Sequence, residues 1–455
     1  LDAVDLSDFC TKAIFSAAWI VFGVGCATSP FTRERLSDEL AHRTNHALPS
    51  DRKPGAPDQP DAWNLIPPDV RLDDGLTEDE AVATSLWNNP AFLSDLATLD
   101  VARGDLVAAG MIRNPIFTML LPLGPKQLEL TALLPIEEIW QRPRRVSAAQ
   151  GEVERVATNL VQTGLDLVRD TRLAFAEVVL AQRREAISEQ MLAVRREIAR
   201  IASSRLSSGD ISEMEAQITT LDVANAEAEQ IQLSRATAQA KEALWLRLGL
   251  GQQQMTVKVV TAGLVSGPFE SLTAAMQRAK ARRPDLRAAE LAIEVAAARL
   301  GWEKTRIFNA ISAVADANGQ GTKGFEIGPG FQLEIPIFNQ NQGGIARTHA
   351  ELDRAAWRYL AVRQQVEGEV RAALLDFEAA QLALEKLSDV VLADAQANIS
   401  RARRAFSAGD VSYLAVLDAS RQLLDVLMRE ASLQATLRRS TAELDRSIGG
   451  RDAKR

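Results

Sequence analysis

The chain is written twice. Ser207-Ser208-Gly209-Asp210-Ile211 returns as Ser407-Ala408-Gly409-Asp410-Val411, and Asn88-Asn89-Pro90 returns as Arg282-Arg283-Pro284. Pro135-Ile136 reappears as Pro336-Ile337, and Val168-Arg169 with Phe175 reappears as Val370-Arg371 with Phe377. The offset stays within about eight residues of 200 at each landmark, a collinearity that chance rarely produces. A tandem duplication builds its architecture by symmetry, which excludes most enzyme folds. It divides the chain into a first repeat at 73–256 and a second at 257–450, with a polar tail at 451–455.

Each half follows one plan. An Ala-rich helix comes first, from Thr77 to about Ile112 and from Ser271 to about Arg306. Thr77 and Glu80 have capping-box spacing, and Pro90 and Pro284 interrupt the helical pattern at matching positions. Two short extended runs follow in each half: Pro115–Leu121 and Gln127–Leu133, then Ala310–Ala315 and Gly330–Ile335. Pro122-Leu123-Gly124-Pro125-Lys126 is the turn signal between the first two. Gln127–Leu130 and Phe331–Ile335 alternate polar with apolar, as a strand does with one wet and one apolar face, and a transmembrane barrel strand gives this same faint pattern.

A very long helical pattern comes next, from about Arg144 to Leu206 and from about Gly344 to Phe406. At 1.5 Å per residue each is roughly 90 Å long, more than one globular domain needs. Val366, Val370, Ala373, Phe377, Ala380, Leu384, Leu387 and Val391 step in alternating fours and threes, the seam of a coiled coil. Turns are expected at Gly209-Asp210 and Gly409-Asp410, because glycine takes the left-handed conformation that ends a helix. Return helices then run from about Ser212 to Leu248 and from about Ser412 to Ile448. The fold class expected is mainly α with a small β part.

Composition narrows function. The net charge of −8 offers no basic stripe to neutralise phosphates, so nucleic acid is not expected as a partner. The only cysteines are Cys10 and Cys26, so no disulfide framework forms in the body. Residues 1–25 read as a signal peptide: Lys12 precedes the apolar run Ala13–Gly25, too short to span a bilayer. Small residues directly before Cys26 resemble a bacterial lipobox, making Cys26 the expected lipidation site, although Gly23 stands where such motifs usually carry Leu and the segment before the run is acidic. Residues 26–72, rich in Pro, Asp, Arg and Asn, read as a polar N-terminal tether or wrapping arm. Since no other stretch is long and apolar enough for a membrane helix, any membrane crossing must use strands.

Four other features were weighed as sites. His42 and His46 are four apart but have no carboxylate or thiolate beside them. Gly319-Gln320-Gly321-Thr322-Lys323-Gly324 lacks P-loop spacing and reads as a hairpin loop. Arg142-Pro143-Arg144-Arg145 is a basic run at a helix start, facing solvent or lipid headgroups, and His349 stands alone on a helix. No nucleophile–base–acid arrangement is legible, so no enzymatic activity, catalytic residue, cofactor or metal site is expected.

The duplicated helix–hairpin–long helix–turn–helix unit, with its lipobox-like start, resembles the outer membrane efflux protein family, the TolC-like exit ducts. The likeness covers about residues 70 to 450 and is carried by the junction Leu333-Glu334-Ile335-Pro336-Ile337-Phe338-Asn339-Gln340-Asn341-Gln342-Gly343-Gly344 and the turn Phe406–Ala419. The resemblance implies a homotrimer whose protomers each give four strands to a twelve-stranded outer membrane β-barrel, continuous with a long periplasmic α-helical barrel. It implies a periplasmic adaptor protein and an inner-membrane pump as partners, with outer membrane lipid around the barrel. Gly209, Asp210, Gly409 and Asp410 would form the periplasmic tip turns where the adaptor docks. Asp418 aligns with an aspartate that rings the pore gate in relatives, and Ala415 stands where some carry a second one. The expected function is a sealed, gated exit duct for small molecules or metal ions. A type I protein-secretion duct shares this architecture, and a periplasmic coiled-coil scaffold is the alternative from another class.

Overall fold

The computed structural model describes residues 29–49, 65–71, 74–121, 128–250, 258–261, 263, 271–307, 311–319, 325–388 and 391–451. The expected leader, Cys10, Cys26, the Pro122–Lys126 linker, residues 320–324 and most of 257–269 lie outside the described residues. The chain forms two compact units, one built among the described residues from 97–159 and 287–362, the other from 33–96, 160–286 and 363–451.

The elements repeat in order. After α1 (Arg33–Thr44) come α2 (Glu78–Asn88), α3 (Pro90–Gly110), β1 (Ile116–Leu120), β2 (Glu129–Pro135), α4 (Glu138–Ser207) and α5 (Glu213–Leu248). The second set is α6 (Leu272–Arg282), α7 (Pro284–Thr305), β3 (Ile311–Gly319), β4 (Phe325–Leu333), α8 (Gln342–Ser388), α9 (Val391–Ala408) and α10 (Tyr413–Ser447). The first unit holds the sheet, four antiparallel strands in the order β1-β2-β3-β4. The two hairpins of the two repeats thus pair through β2 and β3, leaving β1 and β4 as edges.

In the second unit, α2 opens with the expected capping box: Thr77 N–H donates to Glu80 Oε2 at 2.9 Å and Glu80 N–H to Thr77 Oγ1 at 3.3 Å. Pro90 and Pro284 each start a new helix, since proline lacks the N–H that the preceding helix would use. A matched clasp closes each repeat. Gly249 (φ +73°) presses on Asn88, where an added Cβ would lie 2.2 Å from the carbonyl oxygen. Gly449 (φ +87°) presses on Arg282 in the same way, at 2.9 Å. Asn89 then accepts from Phe92 N–H at 3.1 Å, whereas its repeat partner Arg283 is a fully buried guanidinium pairing with Asp285 at 2.5 Å and Glu369 at 2.7 Å. Arg446 also pairs with Glu369, and with Asp166 at 2.7 Å. Burial alone would raise the Glu369 carboxyl, but Gln365, Arg283 and Arg446 hold it below the usual carboxylate range.

Several boundaries differ from expectation. The stretch 26–72, expected as a tether or wrapping arm, contains α1, whose Leu36 and Leu40 are buried. Leu40 fits over Gly164, where a Cβ would collide with it at 2.6 Å. The first long helix begins at Glu138 rather than Arg144, because Pro143 sits within its second turn. Strand β4 begins at Phe325 rather than Gly330; Gly328, Pro329 and Gly330 mask its pattern. The second long helix is described as α8 and α9, with 389–390 outside the described residues. The heptad seam is buried from Val366 through Ala380, but Leu384 and Leu387 are half-buried and Val391 is exposed. Below that point α9 packs instead with α4 and α10 through Ile187, Ile198, Phe406, Val416 and Leu423.

Candidate functional site

Directly opposed residues in a sheet share a face, so the strand register sorts the side chains. One face carries Phe117 and Met119 (β1), Leu130, Ala132 and Leu134 (β2), alternate residues Ile311 to Ala317 (β3), and Ile327, Pro329, Phe331 and Leu333 (β4). Every one is apolar, and the large ones on β1 and β4 are exposed. The other face is mixed: it carries Thr118, Glu129, Thr131, Ser312, Asp316, Asn318, Glu326 and Gln332 together with Ile116, Leu120, Leu133 and Val314. Thr131 Oγ1 donates to Asp316 Oδ1 at 2.9 Å and Asn318 Nδ2 to Asp316 Oδ2 at 2.8 Å. No strand carries Lys or Arg, so the charges on this wet face, Glu129, Asp316 and Glu326, are all negative. Neither face resembles a soluble core; the pattern is that of a wall between lipid and water.

Polar clusters buttress the two strand-to-helix crossings. Glu137 and Glu138 are buried; Arg113 binds Glu137 at 3.0 Å and Glu138 at 2.5 Å, and Arg145 binds Glu138 at 2.8 Å. Within the basic run expected to face solvent or headgroups, Arg144 is exposed while Arg142 and Arg145 turn inward. Arg142 donates to Gly110 O at 2.7 Å, Arg145 to Ala109 O and Met111 O at 2.8 and 2.6 Å, and Arg144 to Gly301 O at 3.0 Å. The end of α3 otherwise leaves carbonyls without partners, which guanidinium groups satisfy well. In the second repeat Asn341, at φ +60°, donates to buried Glu303 Oε2 at 2.6 Å, and Arg306 pairs with Glu303 at 2.9 Å.

The two turns are superimposable in their bonding. Gly209 (φ +81°) N–H donates to Leu206 O at 3.0 Å and Asp210 N–H to Arg205 O at 2.9 Å. Gly409 (φ +89°) N–H donates to Phe406 O at 3.1 Å and Asp410 N–H to Ala405 O at 2.9 Å. Both are glycine-ended helix stops that satisfy the last carbonyls.

Asp418 lies on an exposed stripe of α10 with Ala415, Arg421, Gln422 and Asp425, and accepts from Gln422 Nε2 at 2.8 Å. Beside it an open groove of about 710 Å³ runs between α9 and α10, lined by Asp394, Asn398, Arg401, Gln422, Asp425 and Arg429. Sequence reasoning missed the latch that joins the two hairpins. Arg205 Nη1 donates to Phe406 O at 3.1 Å and stacks 5.1 Å from the Phe406 ring centroid. Phe406 meets Tyr413 edge to face at 6.3 Å. Tyr413 OH donates to Asp222 Oδ2 at 2.9 Å, and Arg195 Nε lies 3.4 Å from the same oxygen. Burial and then the Asp222 carboxylate push the Tyr413 phenol well above its ordinary range, so it stays a donor. One signal was available: Tyr413, one of only two tyrosines, replaces Glu213 at the equivalent position of the repeat.

The remaining features found no site. The α1 helix ends at Thr44, so His42 and His46 do not share a helix turn, and burial lowers the His46 pKa. His349 lies 3.5 Å from Asp353, both exposed. Among the described residues no three His, Cys, Asp or Glu side chains could jointly hold a metal ion, and no helix is long and apolar enough to cross a membrane.

Residues 275–450 match the family described as outer membrane efflux protein. The chain is 24% identical over 379 residues to the cobalt-zinc-cadmium resistance protein CzcC of Cupriavidus metallidurans, covering 82% of this chain and 90% of that protein. It is 27% identical over 228 residues to the "Probable outer membrane lipoprotein SilC" of Salmonella typhimurium, covering 47% and 48%. The fold is similar to the solved outer-membrane channel OprN, with TM-score 0.70 and 19% identity over 94% of this chain and 99% of that one.

Proposed function

Starting from a chain that belongs to the outer membrane efflux protein family, we propose that it is the exit duct through which metal cations leave the periplasm. It is the outer membrane channel component of a tripartite efflux system. The observation that carries the cation reading is the sheet. It has an apolar face for lipid, a wet face whose only charges are carboxylates, and two open edges. Resemblance to a cobalt-zinc-cadmium resistance protein points to the same cargo.

Four strands cannot close a barrel, and an unpaired edge in hydrocarbon costs several kcal/mol for each unsatisfied group. Three copies, joining β1 of one to β4 of the next, would give twelve strands and no edge. Nine carboxylates would then line the lumen, favouring cations over anions. A scaffold outside the membrane would have no use for the apolar face. The turns at Gly209-Asp210 and Gly409-Asp410 are our candidates for adaptor docking, with the inner-membrane pump supplying the energy. Asp418 is our candidate gate residue, and the Tyr413–Asp222 latch would hold the gate shut. Cys26 is the candidate lipid anchor, a reading favoured by resemblance to an outer membrane lipoprotein.

The test is reconstitution of the detergent-extracted protein in planar bilayers, after its native mass is measured. A trimer with a cation-selective reversal potential in a salt gradient, weakened by Asp418→Asn, is the expected result. A monomer, or anion selectivity, would overturn the barrel or the cation reading respectively. Selectivity unchanged in Asp418→Asn would remove that residue from the gate.

A further inference from the structure

Polarity is inverted where the strands hand over to the helices. Glu137 and Glu138 are 2% and 1% exposed, whereas Ile139, one residue on, is 68% exposed. At the other crossing Ile337 is 68% and Phe338 92% exposed. Water would select the opposite arrangement, carboxylates outside and large apolar groups inside. The exposed groups also continue a face already described. Beyond Leu333, the last paired residue of β4, the alternation that puts Ile327, Phe331 and Leu333 on the apolar face runs on to Ile335, and Ile337 follows across a tight turn in which its N–H donates to Ile335 O at 2.9 Å. Glu334 takes the opposite parity, Pro336 sits in the turn, and the apolar run stops at Asn339-Gln340-Asn341-Gln342.

Length decides whether this extension matters. From Phe325 to Leu333 the strand rises roughly 26 Å at about 3.3 Å per residue. Tilted by ~40°, that is roughly 20 Å of height, short of the ~25 Å apolar band a barrel needs. Carrying the run on to Ile335 gives roughly 25 Å, the height of the band. There Ile337 N–H donates back to Ile335 O at 2.9 Å and the chain bends, setting Ile337 and Phe338 at the lower rim.

We infer that both strand-to-helix crossings are immersed in lipid. The acyl chains and inner headgroup boundary of the membrane cover Ile335, Ile337, Phe338 and Ile139, below the last rung of the sheet, and the aqueous compartment begins at Asn339. The burial of Glu137 and Glu138, each paired with arginine, follows from this placement. The carboxylates at this depth pair inside the protein, Arg142 and Arg145 cap helix carbonyls, and the exposed Arg113 lies where a guanidinium reaches the headgroup boundary. The inference rests on the membrane-channel reading, and the experiment separates the two.

Single cysteines replace Ile327, Ile337, Phe338, Ile139 and Gln340 in the full chain, with Cys10 and Cys26 changed to serine. Each is spin-labelled and reconstituted in phosphatidylcholine–phosphatidylethanolamine vesicles. Collision with oxygen, which concentrates in lipid, is compared with collision with a water-soluble nickel chelate. We expect labels at Ile337, Phe338 and Ile139 to match Ile327, with an oxygen-to-nickel ratio several-fold above that at Gln340. A nickel-accessible signal at Phe338 and Ile139 with Ile327 still in lipid overturns the inference and leaves the barrel standing. So does exclusion of both reagents at these positions, the sign of cover by a second copy. A nickel-accessible signal at Ile327 itself overturns the barrel reading. The five labelled positions are surface groups, so folding is not put at risk there.

Discussion

The two glycine turns share their backbone bonds but not what holds the helix after them. After Gly209, Ser212 and Glu215 form a reciprocal capping box, Glu215 N–H donating to Ser212 Oγ at 3.2 Å and Ser212 N–H to Glu215 Oε2 at 3.2 Å. After Gly409, Ser412 makes no side-chain cap, and Ala415, standing where Glu215 did, has no carboxylate to return a bond to the Ser412 N–H. In its place Tyr413 is buried against Phe406 and donates to Asp222 on the other hairpin. The first hairpin is held by bonds within its own turn; the second borrows its order from its neighbour. A turn with local caps keeps its geometry wherever it goes. A turn held by a neighbour can be released when that one contact breaks, which suits a gate.

This contrast can be broken in order of effect. Tyr413→Ala removes a buried aromatic and should cost about 3–5 kcal/mol at the second hairpin. Glu213→Ala, its repeat counterpart on an exposed surface, should stay within about 0.5 kcal/mol. Thermal unfolding with limited proteolysis at each turn measures both, and equal losses would erase the distinction. Tyr413→Phe deletes only the hydroxyl and should cost about 1–2 kcal/mol. It should also raise resting conductance in planar bilayers, and unchanged conductance would make the latch a packing contact rather than a gate. Ser212→Ala should cost about 1 kcal/mol while Ser412→Ala costs almost nothing, since only the first side chain caps its helix; amide hydrogen exchange at the two turns reads the difference.

The smallest effect is a pH dependence at the repeat clasp. The folded Glu369 carboxyl lies below its ordinary value. Its contribution to stability is therefore complete above about pH 5 and is lost as pH falls through the folded pKa. Glu369→Gln should flatten the acid side of the melting-temperature profile, leaving the first-repeat clasp at Asn89, the counterpart of Arg283, indifferent to pH.

Much of the fold was legible because duplication multiplies weak signals. A single Gly-Asp turn or a single proline break means little, but two at one spacing fix the order of helices, strands and turns. Strand β4 was half hidden because Gly328, Pro329 and Gly330 are poor strand formers alone; only pairing with β3 decides their conformation. Arg142 and Arg145 misled because a basic run reads as surface, and the carbonyls they cap are distant in sequence. The latch was hidden for the same reason: Tyr413 stands out against Glu213 in the repeat, but its partner Asp222 lies 191 residues away.

By itself the sequence determined the repeat, the turns at Gly209 and Gly409 and the presence of strand pairs, since each depends on local backbone preference and period. Tertiary structure decided which strand face is wholly apolar, which charges are buried at the crossings, and which hairpin depends on the other. Those properties arise from cross-strand register and from contacts between distant segments, which no local pattern encodes.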